Sequence, residues 1–192
     1  MMRIITGKAK GIRLKTLEGD TTRPTAERVK EAVFSMLQMD IEGREILDLF
    51  SGSGQMALEA LSRGASHAVM IDRSPLAVKV ITENAEKTKL LSQCTIKKED
   101  YLDYIRRNKG KKFDIVFLDP PYLSGYYNIA LKALLDNEML KPSTLIVCES
   151  GEQDIYGDNK ELSLLFNIIK QSRYGKICIS IISPNILNEA EK

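Results

Sequence analysis

Apolar runs of strand length alternate with helix-length segments of periodic hydrophobicity along most of the chain. This alternation is typical of a parallel sheet whose strands are joined by crossover helices. The predicted parallel strands are Ile46–Phe50, Ala68–Ile71, Cys94–Lys97, Phe113–Leu118 and Thr144–Cys148. Two further strands, Leu165–Lys170 and Lys176–Ile182, flank Arg173-Tyr174-Gly175 and predict an antiparallel hairpin. We therefore predict an α/β fold with a seven-stranded, mostly parallel sheet and flanking helices.

The helices between these strands have recognisable ends. Ser74-Pro75 supplies an N-cap and a first-turn proline for a helix that carries Leu76, Val80 and Ile81. The other helices are predicted at Gln55–Arg63, which ends at Gly64, at Tyr101–Asn108, which ends at Gly110, and at Tyr126–Asp136.

An additional helix is predicted before the first parallel strand. Its apolar positions fall on one face, which we expect to pack against the body of the protein. These positions are Val29, Val33, Met36 and Leu37. Arg28, Lys30 and Glu31 fall mostly elsewhere, on a face that we expect to be solvated.

At 192 residues and 43% hydrophobic composition, the chain is long enough for one well-buried domain and short for two. We predict a basic N-terminal β-hairpin over residues 1–20, one domain over residues 21–184 and a polar tail over residues 185–192. Residues 1–30 hold eight Lys and Arg against three Asp and Glu, a charge of +5 in a chain whose net charge is +2. A basic segment on a near-neutral body indicates a polyanionic partner.

Several classes of function have little support in the composition. Three cysteines without C-x-x-C spacing and one histidine, His67, do not make a usual zinc cluster, so we expect no metal site. No signal-peptide pattern opens the chain, and no apolar stretch approaches the ~20 residues that span a bilayer. We expect a cytoplasmic monomer with reduced thiols and no membrane partner.

A strand, a glycine turn and a helix start follow one another between residues 45 and 57, as at the start of a nucleotide-binding βαβ unit. Gly52 and Gly54 allow a tight backbone bend and the close approach of a ligand. Asp72 ends the second strand about 20 residues further on, where an acid would hold ribose hydroxyls. This spacing suits a dinucleotide and S-adenosylmethionine equally, because both contain an adenosine ribose.

Three other acids favour S-adenosylmethionine, which is a cation without phosphates. Asp48 lies in an otherwise apolar strand, where a pyrophosphate would be repelled; its alternative role is to cap the glycine loop. Asp100 follows the third strand and can accept a hydrogen bond from the adenine amino group, act as a helix N-cap, or do both. Asp119 ends the fourth strand, so all four acids are predicted at one carboxyl edge of the sheet, where such folds bind ligands.

The strand Phe113–Leu118 stops abruptly at Asp119-Pro120-Pro121-Tyr122. Pro120 forces Asp119 into an extended conformation, and the second proline continues the extension without a backbone donor. The Asp119 carboxylate and the Pro120 carbonyl can each accept a hydrogen from one NH2 group, while the Tyr122 ring offers a face for a base. The alternative reading is an ordinary strand-to-loop turn.

With Asp-Leu-Phe-Ser-Gly-Ser-Gly at 48–54 and Asp-Pro-Pro-Tyr at 119–122, the chain resembles a Rossmann-like class I S-adenosylmethionine-dependent methyltransferase that acts on an exocyclic amino group. Further likenesses are Arg3-Ile4-Ile5-Thr6-Gly7 with Gly11, Arg23-Pro24-Thr25 and Arg28-Val29-Lys30-Glu31. Together they resemble the RsmD family of bacterial 16S rRNA guanine-N2 methyltransferases, from Met2 to about Ile182. The chain departs from the family between residues 6 and 13, with a Lys and an Ile where members often carry further Arg or Gly.

The resemblance implies that the partner is 16S rRNA, within the small ribosomal subunit or an assembly intermediate. It also implies roles for three sets of residues. The catalytic corner would be Asp119, Pro120, Pro121 and Tyr122. The S-adenosylmethionine pocket would be lined by Asp48, Phe50, Ser51, Gly52, Gly54, Asp72, Arg73, Asp100 and Tyr101. The rRNA would be contacted by Arg3, Lys8, Lys10, Arg13, Lys15, Arg23 and Arg28.

Other functions remain compatible with the motifs. The same kind of corner serves enzymes that methylate adenine N6 in DNA or RNA, or a protein amide. The glycine spacing also permits an NAD-dependent oxidoreductase. A third alternative is a non-catalytic module that binds RNA through the basic segment and transfers no methyl group. A second basic cluster, formed by Arg106, Arg107, Lys109, Lys111 and Lys112, precedes the fourth strand and is interpreted as a solvated loop.

Overall fold

The structure is a computed structural model that describes residues 2–17, 24–37, 39–120 and 125–186. Seven strands form one sheet in the order β3-β2-β1-β4-β5-β7-β6. The strands are β1 Glu45–Asp48, β2 His67–Asp72, β3 Cys94–Lys98, β4 Phe113–Leu118, β5 Leu140–Ser150, β6 Phe166–Tyr174 and β7 Ile177–Pro184. Strands β1 to β5 pair in parallel, and β7 pairs antiparallel with both β5 and β6. The predicted fold class is confirmed.

Helices cover both faces of the sheet. They are α1 Pro24–Met36, α2 Gln55–Ser62, α3 Pro75–Lys87, α4 Tyr101–Arg107, α5 Tyr126–Asp136 and α6 Lys160–Leu164, with a 3-10 turn at Leu91–Gln93. Apolar residues of α1, α2 and α3 form one core with one face of the sheet. Residues of α4, α5 and α6 form a second core with the other face. Consecutive residues of β4 belong to different cores: Phe117 lies in the first and Leu118 in the second.

One detail of the predicted elements is wrong. The hairpin turn falls after Tyr174, so Arg173 and Tyr174 belong to β6 rather than to the loop. Gly175 makes this turn possible with a φ of 63°. Of the apolar residues noted on α3, Val80 and Ile81 are buried, whereas Leu76, in the first turn beside the Ser74 N-cap, is 54% exposed.

The sequence pattern also predicts the wrong solvent exposure for Lys30. It was expected on the solvated face of α1, yet it is 3% exposed. Its Nζ donates to the Arg3 carbonyl and lies 3.7 Å from Oε2 of the fully buried Glu59. The prediction failed because the solvated face of an isolated helix is covered here by the N-terminal residues.

The N-terminal segment, defined here as residues 2–17, folds back on itself over α2 and α3. Ile4 N–H donates to the Ile12 carbonyl at 3.0 Å, and Leu14 N–H donates to the Met2 carbonyl at 2.9 Å. Arg3 and Arg13 form an isolated antiparallel bridge without a continuous ladder. The regular β-hairpin expected here stays a prediction.

Across the described ranges, no helix combines the length and the hydropathy needed to cross a membrane.

Candidate active site

The carboxyl edge of the parallel strands gathers the four acids that the sequence singles out. Asp48 and Asp72 are the last residues of β1 and β2, Asp100 lies two residues after β3, and Asp119 directly follows β4. Because β1 to β4 run in the same direction, all four side chains begin at the same edge. The order of these strands makes β1 and β4, with Asp48 and Asp119, immediate neighbours.

The glycine loop between β1 and α2 is closed by Asp72. Gly52 N–H donates to Asp72 Oδ2 at 2.9 Å, and Ser74 N–H donates to Asp72 Oδ1 at 2.8 Å. One carboxylate therefore orients both the glycine loop and the start of α3. Ser51 adds a second constraint, because its Oγ donates to the Asp48 carbonyl at 2.9 Å. Arg73, predicted beside the ligand, is exposed next to Asp72.

The two loop glycines have different structural roles. Gly52 has a φ of +53°, and a Cβ added there would meet no atom within 4 Å, so its open side can admit a ligand. Gly54 has a φ of +77°, and an added Cβ would lie 3.2 Å from Ile81 and 3.3 Å from the Met70 sulfur. Gly54 is thus required by the packing of the loop on α3 and β2, whereas Gly52 leaves space at the sheet edge.

Asp48 is a buried acid in this edge, with 4% of its surface exposed. Burial is the main reason that its pKa is raised to about 7, and the neighbouring Asp72 carboxylate raises it further. Hydrogen bonds to Phe50 and Ala57 backbone groups act in the opposite direction. A cation placed here would favour the ionised carboxylate, which makes the site suitable for the positive end of S-adenosylmethionine.

An aromatic cluster lies beside the glycine loop. The ring centroids of Phe50 and Tyr101 are 4.8 Å apart, and Tyr126 lies 5.9 Å from Phe50 and 6.0 Å from Tyr101. Asp100 N-caps α4 through a 2.9 Å hydrogen bond from Leu102 N–H, which confirms its capping role and leaves its ligand role as a prediction. Tyr126 was missed by the sequence reasoning, although its position four residues after Asp-Pro-Pro-Tyr was a usable signal.

The predicted catalytic corner is described in part. Asp119 is exposed at the end of β4, and Pro120 beside it is buried. Pro121 and Tyr122, and the predicted RNA contact Arg23, lie outside the described residues. The corner therefore begins on a buried central strand, with a carboxylate at the surface of the sheet edge.

A second polar residue missed by the sequence reasoning connects the N-terminal segment to the glycine loop. Asn84 of α3 is fully buried. Its Oδ1 accepts from Lys15 N–H at 2.8 Å, and its Nδ2 donates to the carbonyls of Lys15 at 3.0 Å and Ser53 at 2.9 Å. The signal in the sequence was a polar residue on the same helical stripe as Val80 and Ile81.

Five of the seven predicted RNA contacts lie on this segment. Lys8, Lys10 and Arg13 are exposed, as is Arg28 on α1. Two others are paired with acids: Arg3 Nε lies 2.7 Å from Glu27 Oε1, and Lys15 Nζ contacts Glu83. Lys8, Lys10 and Arg13 thus lie on the segment that Asn84 joins to the glycine loop.

The second basic cluster lies toward the opposite edge of the sheet, before β4. Arg106 pairs with Asp103 at 3.6 Å, and Lys109 pairs with Glu138 at 3.4 Å. Arg107 lies 2.9 Å from Glu99. The strand that separates the cluster from Asp119 has six residues, or about 20 Å at ~3.3 Å per residue.

The fold and the edge acids define the class of protein, a class I methyltransferase. A family model described as "Conserved hypothetical protein 95" matches residues 2–183. Ribosomal RNA small subunit methyltransferase D from Haemophilus influenzae is 35% identical, covering 78% of this chain and 78% of its own. The protein of the same description from Escherichia coli K12 is 33% identical, covering 78% of this chain and 74% of its own.

Solved structures agree with these sequence matches. A chain described as "Putative methyltransferase yhhF from Escherichia coli" has a TM-score of 0.83 at 27% identity, covering 97% of this chain and 99% of that one. A conserved hypothetical protein from Streptococcus pyogenes has a TM-score of 0.70 at 30% identity, covering 81% of this chain and 95% of that one. The chain belongs to the RsmD family, whose family model matches residues 2–183. The resemblance stated from the sequence is confirmed.

Proposed function

We propose that this protein methylates the exocyclic N2 amino group of one guanine in 16S rRNA. The observation that carries the proposal is the adjacency of β1 and β4, which sets Asp119 and Pro120 beside the edge formed by Asp48, the glycine loop and Asp72. A methyl donor held at that edge and an amino group held by the corner would be neighbours. The chain is an S-adenosylmethionine-dependent methyltransferase acting on rRNA; the guanine and its N2 atom are our assignment.

S-adenosylmethionine supplies a methyl group already activated by its sulfonium. The residues that would hold it fit its chemistry: the Asp48 carboxylate would pair with its positive end, Asp72 and Asp100 can accept hydrogen bonds, and Phe50 and Tyr101 offer apolar ring faces. Because the methyl group is activated before the reaction, the protein contributes chiefly by positioning the amino nitrogen and excluding water.

The corner would orient the amino group. The Asp119 carboxylate and the Pro120 carbonyl accept its two hydrogens, which turns the nitrogen lone pair toward the donor. For this the guanine must leave its stack, and Tyr122 is proposed to receive its face. Asp119 or water then takes the proton released when nitrogen becomes methylated.

The wider context follows from the same proposal. The substrate is 16S rRNA within the small ribosomal subunit or an assembly intermediate, and the enzyme acts in the cytoplasm as a monomer. Nucleosides from rRNA of a deletion strain, separated and measured by mass spectrometry, test the assignment. Loss of one N2-methylguanosine from 16S rRNA is the expected result, whereas loss of an N6-methyladenosine with N2-methylguanosine unchanged would refute it.

Cofactor affinity should depend on pH through Asp48. The pKa of this carboxyl is about 7, so it is mainly protonated at pH 6 and mainly ionised at pH 8. Only the ionised form attracts the positively charged amino end of the ligand, so we expect S-adenosylhomocysteine to bind about tenfold more weakly at pH 6 than at pH 8. Isothermal titration calorimetry measures the effect. An Asp48→Asn variant should show a nearly flat profile, and a wild-type profile as flat as that of the variant would contradict this role.

RNA affinity should depend on salt through the exposed residues of the N-terminal segment. Changing Lys8, Lys10 and Arg13 together to alanine should reduce the slope of log affinity against log salt by about 2, because each lost phosphate contact contributes about 0.7 on single strands. Filter binding of 16S rRNA between low and moderate salt measures the slope.

The matched control for this measurement removes three charges from the second basic cluster, Arg106, Lys109 and Lys112. We expect its salt slope to equal that of the wild type. If the slope of log affinity against log salt falls by the same amount in the two triple variants, the N-terminal segment has no special role in binding the RNA.

A further inference from the structure

Glu149 is an acid at the active edge that neither the motifs nor the mechanism above uses. It lies near the end of β5, the strand that pairs with β4 on the side away from β1. The parallel register pairs Phe117 with Val147 and Leu118 with Cys148. Continuing this register by one residue places Glu149 beside Asp119.

The side chain of Glu149 belongs to the same face of the sheet as the cofactor acid Asp48. Phe117 and Val147 lie in the first core and Leu118 and Cys148 in the second, so the next residue of each strand returns to the first face. The antiparallel partner of Glu149 is Ile179, which also lies in the first core. Neighbouring strands are about 4.8 Å apart, so Asp119 and Glu149 are within reach of one planar base.

Glu149 is held in place without a cation to neutralise it. The Tyr127 hydroxyl donates to its backbone carbonyl, which ties the end of β5 to α5. Over the described part of the chain, no Lys or Arg forms a salt bridge with its carboxylate. Burial raises its pKa, so an N–H donor supplied by a ligand would stabilise the charged form.

We propose that Glu149 makes the site specific for guanine: its carboxylate accepts the N1–H of the base while Asp119 accepts from the N2 amino group. This inference rests on the proposed function. Guanine presents two adjacent donors, N1–H and the N2 amino group, and two neighbouring carboxylates match them. Adenine presents an acceptor at N1, which a carboxylate repels. The pair of acids therefore accounts for selection of the base, which Asp-Pro-Pro-Tyr alone leaves open.

The test changes one hydrogen-bonding group on the base and one on the enzyme. Small subunits are reconstituted from 16S rRNA that carries either guanine or 2-aminopurine at the target position, which is mapped by mass spectrometry of oligonucleotide fragments of 16S rRNA from the wild-type and deletion strains. The base 2-aminopurine keeps the amino group but has an acceptor at N1, and glutamine in place of Glu149 can donate to that acceptor. The base 2-aminopurine also lacks the O6 atom of guanine, but this loss affects the wild type and Glu149→Gln alike. The difference in guanine preference between the two enzymes therefore measures the contact at N1.

We expect the wild type to prefer guanine by about a hundredfold or more, and Glu149→Gln to reduce that preference at least about tenfold, mainly by slowing transfer to guanine. Glu149→Asp, which keeps the carboxylate, should retain the preference. Glu152→Gln, on the exposed loop that follows β5, should behave as the wild type. S-adenosylhomocysteine affinity and melting temperature monitor the integrity of each variant.

Equal loss of transfer to both bases in Glu149→Gln, with the guanine preference intact, would overturn the role of Glu149. So would a wild-type enzyme that methylates 2-aminopurine as well as guanine. If the wild type leaves guanine N2 unmethylated in every particle, the proposed function itself fails, a result distinct from these two.

Discussion

Replacing Asp119 with alanine is expected to lower methyl transfer to rRNA by about a thousandfold, the effect of removing a principal electrostatic contact from a reacting group. Asp119 is exposed at the end of β4 and is the acceptor proposed to hold the amino group. Without it, the nitrogen lone pair is no longer directed at the methyl donor. Methyl transfer from labelled S-adenosylmethionine to small subunits of a deletion strain measures the loss.

Cofactor binding should survive the same change. The residues proposed to hold S-adenosylmethionine come from β1, β2, β3 and the loops that follow them. We therefore expect the affinity of Asp119→Ala for S-adenosylhomocysteine to stay within about threefold of the wild type, because the lost interaction acts on the reacting group. Asp136→Ala, at the exposed end of α5, is the matched control and should keep full activity. Near-wild-type turnover by Asp119→Ala would refute the catalytic assignment.

Replacing Glu59 with alanine is expected to lower the free energy of unfolding by about 3–5 kcal/mol, the cost of removing one member of a buried ionic network. The Glu59 carboxylate accepts from the backbone N–H groups of Ile5 at 2.7 Å and Thr6 at 3.0 Å, and from Arg63 Nε at 2.8 Å. Its loss also leaves the buried Lys30 without its nearest carboxylate. Urea unfolding followed by circular dichroism measures the change.

The control for this prediction is Glu86→Ala, a change on the exposed part of α3, which should alter unfolding by less than about 0.5 kcal/mol. A double variant that replaces Glu59 with leucine and Lys30 with methionine should recover part of the loss, since the buried charge is removed with its partner. Unfolding midpoints of Glu59→Ala and Glu86→Ala that coincide would show that the network adds nothing to stability.

The predictable part of the fold is the part encoded by local patterns. The strand Phe113–Leu118 and the helix Tyr126–Asp136 match their predicted bounds, and Ser74 caps α3 through a hydrogen bond from Ala77 N–H. An apolar run that ends at a proline, and a Ser-Pro pair at a helix start, restrict the backbone whatever surrounds them. The common edge of the four acids follows in turn from the direction of parallel strands.

The errors concern residues whose environment is made by distant parts of the chain. Lys30 has a surface position on its own helix and is buried only because residues 2–17 cover it. Glu59 and Asn84 are polar residues on buried helices, and they bond to backbone groups 31 to 69 residues away. Periodicity assigns a residue to a face, but it does not identify which segment packs against that face.

The candidate site divides in the same way. The glycine turn, the strand-end acids and Asp-Pro-Pro-Tyr could be recognised from the sequence because each depends on residue types at close spacing. The tertiary structure alone placed Tyr126 in one aromatic cluster with Phe50 and Tyr101, the end of β5 beside the end of β4, and Asn84 between the N-terminal segment and the glycine loop. These relations depend on strand order and on the packing of remote segments, which arise when the chain buries its apolar surface as a whole.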